Sequence, residues 1–396
     1  MKVDKNLIIP SLSGLQYGYN TAVIAGALLY LTKTFSLTAL QEGFLVAMAM
    51  VGLCIAAFAG ILSNVIGRKP SLLLSSGFFL IGELLCVWAP TFPILLVGRF
   101  LVGAGCGIAV VVSPIYLIEM APAETRGAIL NLNQIGIALG SLFAYICNYL
   151  FEDWRMMFGV AILPALIQGA GLFFVPESID KAKRSEASWK RVIDPSYLPR
   201  FKVVLALSFF QALCGSAAVF FFAPSVFESV GFADPKSSLL ATILIGLVYL
   251  CAILVSFWVI DRLGRRFLLF TSLWGMALTL FTIFLFPTPL VTLICLLFYI
   301  AFYSLGMGPV PPLVIGEISP VQVRGHVMSL MGMIGWSVNY FITLTFLPLV
   351  GYLTVGGTFL IYAGFCLIGF GFFYGSIPET KKKSLDEIDR LFKKSR

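Results

Sequence analysis

Long apolar stretches recur from one end of the 396-residue chain to the other, and most of the charges lie between them. Each stretch holds about 20 residues or more, which is enough to cross the hydrocarbon core of a bilayer as one α-helix. Hydrophobic residues make up 59% of the chain and charged residues only 12%, too few to cover a water-soluble fold of this length. We therefore predict an all-α integral membrane protein, and we exclude a soluble globular enzyme, a disordered chain and a disulfide-stapled secreted domain.

The apolar stretches, bounded by charges, Pro and Gly, predict twelve transmembrane helices. We expect them near residues 7–31, 38–62, 70–89, 92–118, 127–150, 155–175, 201–228, 237–260, 266–286, 289–316, 325–348 and 352–376. Twelve helices of this length use about 240–300 residues, which leaves only short loops and no sizeable soluble domain.

The basic residues are concentrated in alternate loops of this scheme. They are Arg68, Lys69, Arg126, those between 181 and 202, Arg262, Arg265, Arg266, Arg324, and those between 381 and 396. Because loops rich in Lys and Arg face the cytoplasm, both termini are predicted to be cytoplasmic, which requires an even number of spans. Basic loops beside the lipid bilayer explain the formal charge of +8, so we predict no nucleic-acid partner.

The residue types needed for metal binding or nucleophilic catalysis are scarce. All eight cysteines fall inside the predicted apolar helices without CxxC spacing, and His326 is the only histidine. Small buried thiols explain this usage better than disulfides or a metal site. We therefore expect no metal, no cofactor and no enzymatic activity.

Three short motifs occur twice, in the same order and about half the chain length apart. NVIGRK at 64–69 recurs as DRLGRR at 261–266, an offset of 197 residues. EMAP…RG at 119–127 recurs as EISP…RG at 317–325, an offset of 198 residues. PES at 176–178 recurs as PET at 378–380, an offset of 202 residues. Six helices are thus repeated once in the same orientation, the parallel-repeat architecture of transporters.

The repeat divides the chain into four parts. Residues 1–176 form an N-terminal six-helix half and residues 201–377 a C-terminal six-helix half. Residues 177–200 are predicted to be a cytoplasmic linker, and residues 378–396 a basic cytoplasmic tail.

The repeated motifs put charged groups at the cytoplasmic ends of both halves. An unpaired carboxylate at the membrane boundary, such as Glu119 or Glu317, is costly and needs a partner. Ion pairs that hold the inner ends of the halves together, and break when that side opens, would form a gate; the alternative is that they only fix the topology. The predicted gate comprises Asn64, Arg68, Glu119, Arg126, Asp261, Arg265, Glu317 and Arg324.

The sequence resembles the sugar porter family of the major facilitator superfamily over essentially its whole length. The motifs that carry the resemblance are Tyr17 to Ala27, the two GR[KR] turns, Gly98-Arg99 to Glu119, Asn133-Gln134, Pro176-Glu177-Ser178, Gln211 to Pro224, Gly308-Pro309-Val310 to Glu317, Trp336 to Asn339, and Pro378 to Lys381. The resemblance implies twelve helices in the major facilitator fold, a central substrate cavity and alternating access. It also implies a monosaccharide substrate, moved passively or with protons.

The resemblance, together with the polar groups at membrane depth, supplies candidate site residues. We expect the substrate to contact Tyr17, Asn20, Gln134, Gln211, Trp336 and Asn339. A central polar or coupling network is expected from Asn20, Arg99 and Glu83. Arg99 must face a cavity or a partner, for which Asn20 is the candidate, because an arginine inside the bilayer costs several kcal/mol.

Several positions depart from the family pattern. Proton-coupled members carry an aspartate where this chain has Asn20, whose amide does not titrate. Of the seventh-span pattern, a second Gln, an Asn and two tyrosine hydroxyls are missing from residues 212–222. Ser216, Tyr249 and Tyr303 are candidates to replace these lost hydrogen bonds. The cytoplasmic segment between the halves is also shortened.

Three functions remain open at this point. The first is a passive carrier of a small neutral solute, a monosaccharide or related polyol, in the plasma (inner) membrane. The second is a proton symporter that uses Glu83, an acid inside the third apolar stretch that the family normally lacks. Burial would favour the protonated form of this carboxyl, unless it bonds to a neighbouring helix or stays wet near the interface. The third, less favoured, is a transport-inactive membrane sensor.

Overall fold

The computed structural model describes residues 5–55, 58–120, 126–178, 198–319, 324–377, 379 and 381. Within these residues the chain is helical. The helices are α1 Lys5–Phe35, α2 Ala39–Ile55, α3 Ala59–Ile66, α4 Arg68–Val87, α5 Phe92–Met120, α6 Arg126–Leu150, α7 Trp154–Leu172, α8 Leu198–Leu213, α9 Ser216–Ser229, α10 Pro235–Leu263, α11 Arg265–Leu285, α12 Pro289–Phe302, a π-helical turn Tyr303–Met307, α13 Val310–Ile318 and α14 Arg324–Ser376.

These helices follow the expected spans to within a few residues. Eight helical segments of the described chain are long and apolar enough to cross a membrane, and α14 is counted among them once. It contains both of the last two expected spans, and Thr354, with φ of 65°, interrupts it between them. The number of spans and the cytoplasmic position of both termini stay predictions.

Two of the expected spans are broken near their middle. Gly215 separates α8 from α9 with φ of 90°, a conformation that favours glycine, and a Cβ there would lie 2.8 Å from the Tyr362 ring. The π-helical turn separates α12 from α13 in the same way. Such breaks expose backbone carbonyls that a continuous helix would satisfy internally.

In the N-terminal half, α1 packs on α6, α4 on α5 and α7, and α2 on α5. Small residues allow the closest of these approaches. A Cβ on Gly103 would lie 2.1 Å from the Ala49 carbonyl oxygen, so α2 and α5 touch through their backbones. Gly103 thus serves close helix packing.

In the C-terminal half, α14 packs on α11 and α8, while α10 lies beside α9 and α12. The two halves meet mainly through α2 with α14, α6 with α10 and α1 with α9, and α3 also contacts α14. Large apolar side chains cover the periphery of the helix bundle, for example Phe174 and Trp258, which are 87% and 73% exposed. A lipid environment accounts for this surface, since exposed apolar groups are favourable there.

Most of the linker and of the basic tail lies outside the described residues. The division into two halves, linker and tail therefore stays a prediction.

Candidate transport site

Aromatic side chains from both halves converge between the helices. Tyr17 of α1 lies beside Trp336 of α14, and its hydroxyl is near those of Tyr249 on α10 and Tyr303 in the π-helical turn. All four side chains are partly exposed although they lie between helices. Hydroxyls and ring faces are thus presented to one internal space by α1 and by three elements of the C-terminal half.

Two of the expected replacement groups join this cluster. Ser216, at the start of α9, has its hydroxyl near that of Tyr303, and Tyr249 lies 5.0 Å from the Phe220 ring, centroid to centroid. Phe220 also contacts the ring of Tyr303 at 5.9 Å. Hydroxyls from α9, α10 and the π-helical turn therefore lie together, and their role as replacements for the groups that the seventh span lacks stays a prediction.

Gln211 is tied to the protein backbone. Its amide nitrogen donates to the carbonyl oxygens of Met307, at 3.1 Å, and Gly308, at 3.0 Å. Both carbonyls belong to the break between α12 and α13, where the helix does not use them. The amide hydrogens of Gln211 are thus committed to joining two broken spans, and its oxygen is left for a solute.

The other predicted contact residues occupy different environments. Gln134 on α6 is exposed, while the neighbouring Asn133 is buried. The side-chain oxygens of Asn20 and Asn339 are buried, and neither has a hydrogen-bond partner among the described residues. An unpaired buried oxygen costs free energy, so both amides are available to a solute or an ordered water.

Arg99 and Asn20 are in contact, as expected, but through the backbone. The Nη1 atom of Arg99 donates to the carbonyl oxygen of Asn20 at 3.3 Å, and the guanidinium lies 5.9 Å from the centre of the Phe158 ring. Arg99 is 1% exposed and its Nε atom has no partner in the described part of the chain. The contact links α5 to α1 one turn from Tyr17.

Glu83 matches neither of the two structural explanations considered for it. Its side chain is completely buried, so it is not wetted at the interface. Neither carboxyl oxygen has a hydrogen-bond partner among the described residues, so it does not tie α4 to a neighbouring helix.

At the end of the N-terminal half that is predicted to be cytoplasmic, Arg68 organises the turn between α3 and α4. Its guanidinium pairs with Glu119 at 3.1 Å and donates to the side chains of Asn64, at 2.6 Å, and Ser63. Glu177 accepts hydrogen bonds from the backbone N–H groups of Arg68, at 2.9 Å, and Lys69. A carboxylate at a helix start satisfies free N–H groups and interacts favourably with the helix dipole.

The C-terminal half repeats this arrangement. Arg265 pairs with Glu317 at 3.1 Å and with Asp261 at 3.3 Å. Glu379 accepts from the backbone N–H groups of Arg265, at 3.2 Å, and Arg266, at 3.0 Å. Burial alone would raise the pKa of Glu379, but the N–H groups of Lys381, Arg266 and Arg265 outweigh it and hold the pKa below its usual value.

Sequence reasoning missed the capping role of Glu177 and Glu379. The signal was present, because Glu177 and Glu379 each come directly after a proline in a repeated motif. The helix that each of them caps begins directly after a glycine. Gly67 and Gly264 have φ of 116° and 90°, and a Cβ on Gly264 would lie 2.8 Å from a Glu379 carboxylate oxygen. The absence of a side chain on Gly264 thus leaves room for the carboxylate.

The two basic–acidic pairs each lie within one half. Arg68 and Glu119 both belong to the N-terminal half, and Arg265 and Glu317 both belong to the C-terminal half. The side chains of Arg126 and Arg324 lie outside the described residues. A gating role for these groups stays a prediction, since neither described pair joins one half to the other.

Contacts between the halves do occur on the opposite side, here called the outer side. The ammonium of Lys236 on α10 lies 2.7 Å from the carboxylate of Glu152, in the connection between α6 and α7. The Tyr145 hydroxyl donates to the carbonyl oxygen of Phe220 at 2.9 Å. Sequence reasoning missed both contacts, because nothing in the spacing of these residues predicts which helices of the two halves adjoin.

Comparison with known proteins identifies the family. The model of the sugar (and other) transporter family matches residues 6–188 and 179–392, which together span nearly the whole chain. The chain belongs to the sugar porter family of the major facilitator superfamily. As a sugar porter it is a multi-pass membrane carrier and not an enzyme, as predicted.

Individual relatives agree with this assignment. The chain is 33% identical to the putative metabolite transport protein YwtG of Bacillus subtilis, with 98% of this chain and 96% of the relative covered. It is 31% identical to the glucose transporter GlcP of Staphylococcus epidermidis, covering 98% and 97%. Among solved structures, the inward-open conformation of the xylose transporter XylE from E. coli has a TM-score of 0.85 at 27% identity, covering 97% of this chain and 98% of that one.

Proposed function

We propose that this sugar porter carries a small neutral polyhydroxylated solute, a monosaccharide or related polyol, which binds between its two halves. The observation that carries the proposal is the convergence of Tyr17 and Trp336, one from each half, beside the hydroxyls of Tyr249 and Tyr303. Ring faces pack against the C–H faces of a sugar, while hydroxyls and amides pair with its OH groups. The names of the glucose and xylose transporters to which the chain is similar support this solute class.

The composition of the site favours solutes with fewer hydroxyls to satisfy. The amide hydrogens of Gln211 are committed to Met307 and Gly308, and phenylalanines occupy much of α9. Each neutral hydrogen bond that a site cannot offer loses about 0.5–1.5 kcal/mol. A pentose or a deoxyhexose should therefore lose less affinity here than a fully hydroxylated hexose.

Alternating access is supported by where the halves touch. Lys236–Glu152 and Tyr145–Phe220 close the outer side, and each joins one half to the other. Solute access from the outside then requires these contacts to break. The pairs Arg68–Glu119 and Arg265–Glu317 lie at the opposite ends of the two halves, and the proposal is that they exchange partners when that side closes.

The test begins with purified protein and a panel of D-glucose, D-xylose, 6-deoxy-D-glucose, D-sorbitol and, as a negative control, sucrose. A thermal shift with one of the first four, followed by counterflow of that solute into liposomes, is the expected result. Trp336→Ala should abolish the shift by removing the ring face, while Trp258→Ala, which changes an exposed tryptophan on the lipid surface, should not. Counterflow of none of the first four compounds would refute the solute class.

A further inference from the structure

We propose that Glu83 is a proton-binding site that couples solute movement to an inward flow of protons. Glu83 is the one acidic side chain of the described residues that is completely buried, and both of its carboxyl oxygens lack a hydrogen-bond partner there. This inference rests on the proposed function, since the carried solute is what the proton would drive.

The charged form of Glu83 is costly at this position. A carboxylate removed from water without hydrogen bonds is strongly unfavourable, whereas the neutral acid is tolerated at membrane depth. The arrangement around Glu83 therefore suits the protonated carboxyl. Loss of the proton to water leaves a carboxylate that must find a positive partner.

Arg99 is the positive partner available to a deprotonated Glu83. Among the ionisable groups that face Glu83, the Arg99 guanidinium alone carries a charge at neutral pH; the others are Cys106 on α5, Tyr19 on α1 and Cys86 on α4 itself. On α7, which also packs on α4, the one ionisable residue is Arg155, and it is exposed and lies 4.1 Å from the centre of the Trp154 ring. The helix α3 has none.

Arg99 also connects Glu83 to the solute site. Arg99 does not form an ion pair with Glu83 within 4.0 Å in the described structure; it donates to the carbonyl oxygen of Asn20 and has a spare donor at Nε. A deprotonated Glu83 draws the guanidinium away from Asn20. That carbonyl lies about one helical turn from Tyr17, so the protonation of Glu83 changes the support of a solute-contacting side chain.

The position of Glu83 also gives the proton a short route. Glu83 lies four residues before Val87, the last residue of α4, which is about 6 Å along the helix axis. The next residue, Trp88, is 71% exposed on the outer side. Glu83 thus lies nearer the outer end of α4 than the inner end, and the proposal places proton entry on that side. Asn20 cannot take this role, because an amide does not titrate.

The decisive measurement on the purified protein needs no solute. Infrared difference spectra over a pH titration should contain the C=O stretching band of a buried neutral carboxylic acid at neutral pH. The band should vanish in Glu83→Gln, which keeps the size of the side chain, and remain in Asp153→Asn, which removes an exposed acid but retains a helix-capping oxygen. If the band is absent from the wild type, or persists in Glu83→Gln, Glu83 is not protonated and the inference fails.

A transport measurement separates coupling from carriage. In liposomes with an inside-alkaline gradient of one pH unit, one proton per solute supports up to about tenfold accumulation of D-xylose or D-glucose. Wild type and Asp153→Asn should accumulate the sugar until a protonophore is added, whereas Glu83→Gln should only equilibrate it. Equal accumulation by Glu83→Gln, or none by the wild type despite active counterflow, overturns the coupling. Absence of counterflow in every variant instead refutes the solute class and leaves the infrared result to decide the proton site.

Discussion

Glu177 and Glu379 do the same work in the two halves of the carrier. Each carboxylate caps the helix that follows a GR[KR] turn, Glu177 at the start of α4 and Glu379 at the start of α11. The caps bring the ends of the sixth and twelfth expected spans back to the start of the third and ninth. Each half is thereby closed, on the face predicted to be cytoplasmic, by its own terminal segment.

Removing one cap should destabilise its half by about 0.5–2 kcal/mol, the usual cost of losing a helix cap. We expect Glu177→Ala and Glu379→Ala each to lower the unfolding temperature in detergent. Conservative Glu→Gln changes should lower it less, because the amide oxygen still accepts one hydrogen bond. An unchanged unfolding temperature in both Ala variants would contradict the capping role.

The stabilisation from Glu379 should depend on pH. The pKa of this carboxyl is lower in the folded protein than in the unfolded chain, so its contribution is present above the ordinary glutamate pKa and is lost as pH falls through the folded value. The difference in unfolding temperature between wild type and Glu379→Gln should therefore shrink on acidification. A difference that stays constant down to acid pH would exclude this ionisation as its source.

Gln134 and Gln211 should behave differently when truncated. Gln134→Ala changes an exposed side chain and should weaken solute binding by about 1–3 kcal/mol without lowering the unfolding temperature. Gln211→Ala also frees the carbonyls of Met307 and Gly308, so it should reduce both affinity and stability. Calorimetric titration and thermal unfolding of the two variants check this; unchanged affinity in both places the solute elsewhere.

The outer ion pair should bias the carrier towards closure on that side. The Lys236 ammonium lowers the pKa of the Glu152 carboxyl, so the pair is charged at neutral pH. Because both groups are exposed, we expect Glu152→Gln to increase outward opening by only about two- to fivefold. The measurement is labelling of single cysteines placed in the outer half of the cavity, in a background lacking the eight native thiols.

The charge reversal Glu152→Lys with Lys236→Glu should restore wild-type labelling, while each single reversal should increase it. Labelling that is the same in all four proteins would mean that the pair does not contribute to closure.

The helices, the repeated motifs and the family could all be predicted from the sequence. Their apolar length is a property of each segment, and the repeat is visible in motif spacing, so neither depends on how the segments pack. Even the broken seventh span carries its signal locally, in Gly215. The tyrosines proposed to replace missing polar groups were also named from the sequence, because departures from the family pattern are visible there.

The pairing of the polar groups, in contrast, depends on how the helices pack and could not be predicted from the sequence. The commitment of Gln211 to two backbone carbonyls depends on a π-helical turn about 90 residues away. Arg99 pairs with the backbone carbonyl of Asn20 and not with its side-chain amide because of how α5 packs against α1. The isolation of Glu83 depends on three helices that place no donor against it. Hydrogen bonds act over about 3 Å and require direction, so residues distant in sequence become partners only when packing fixes both.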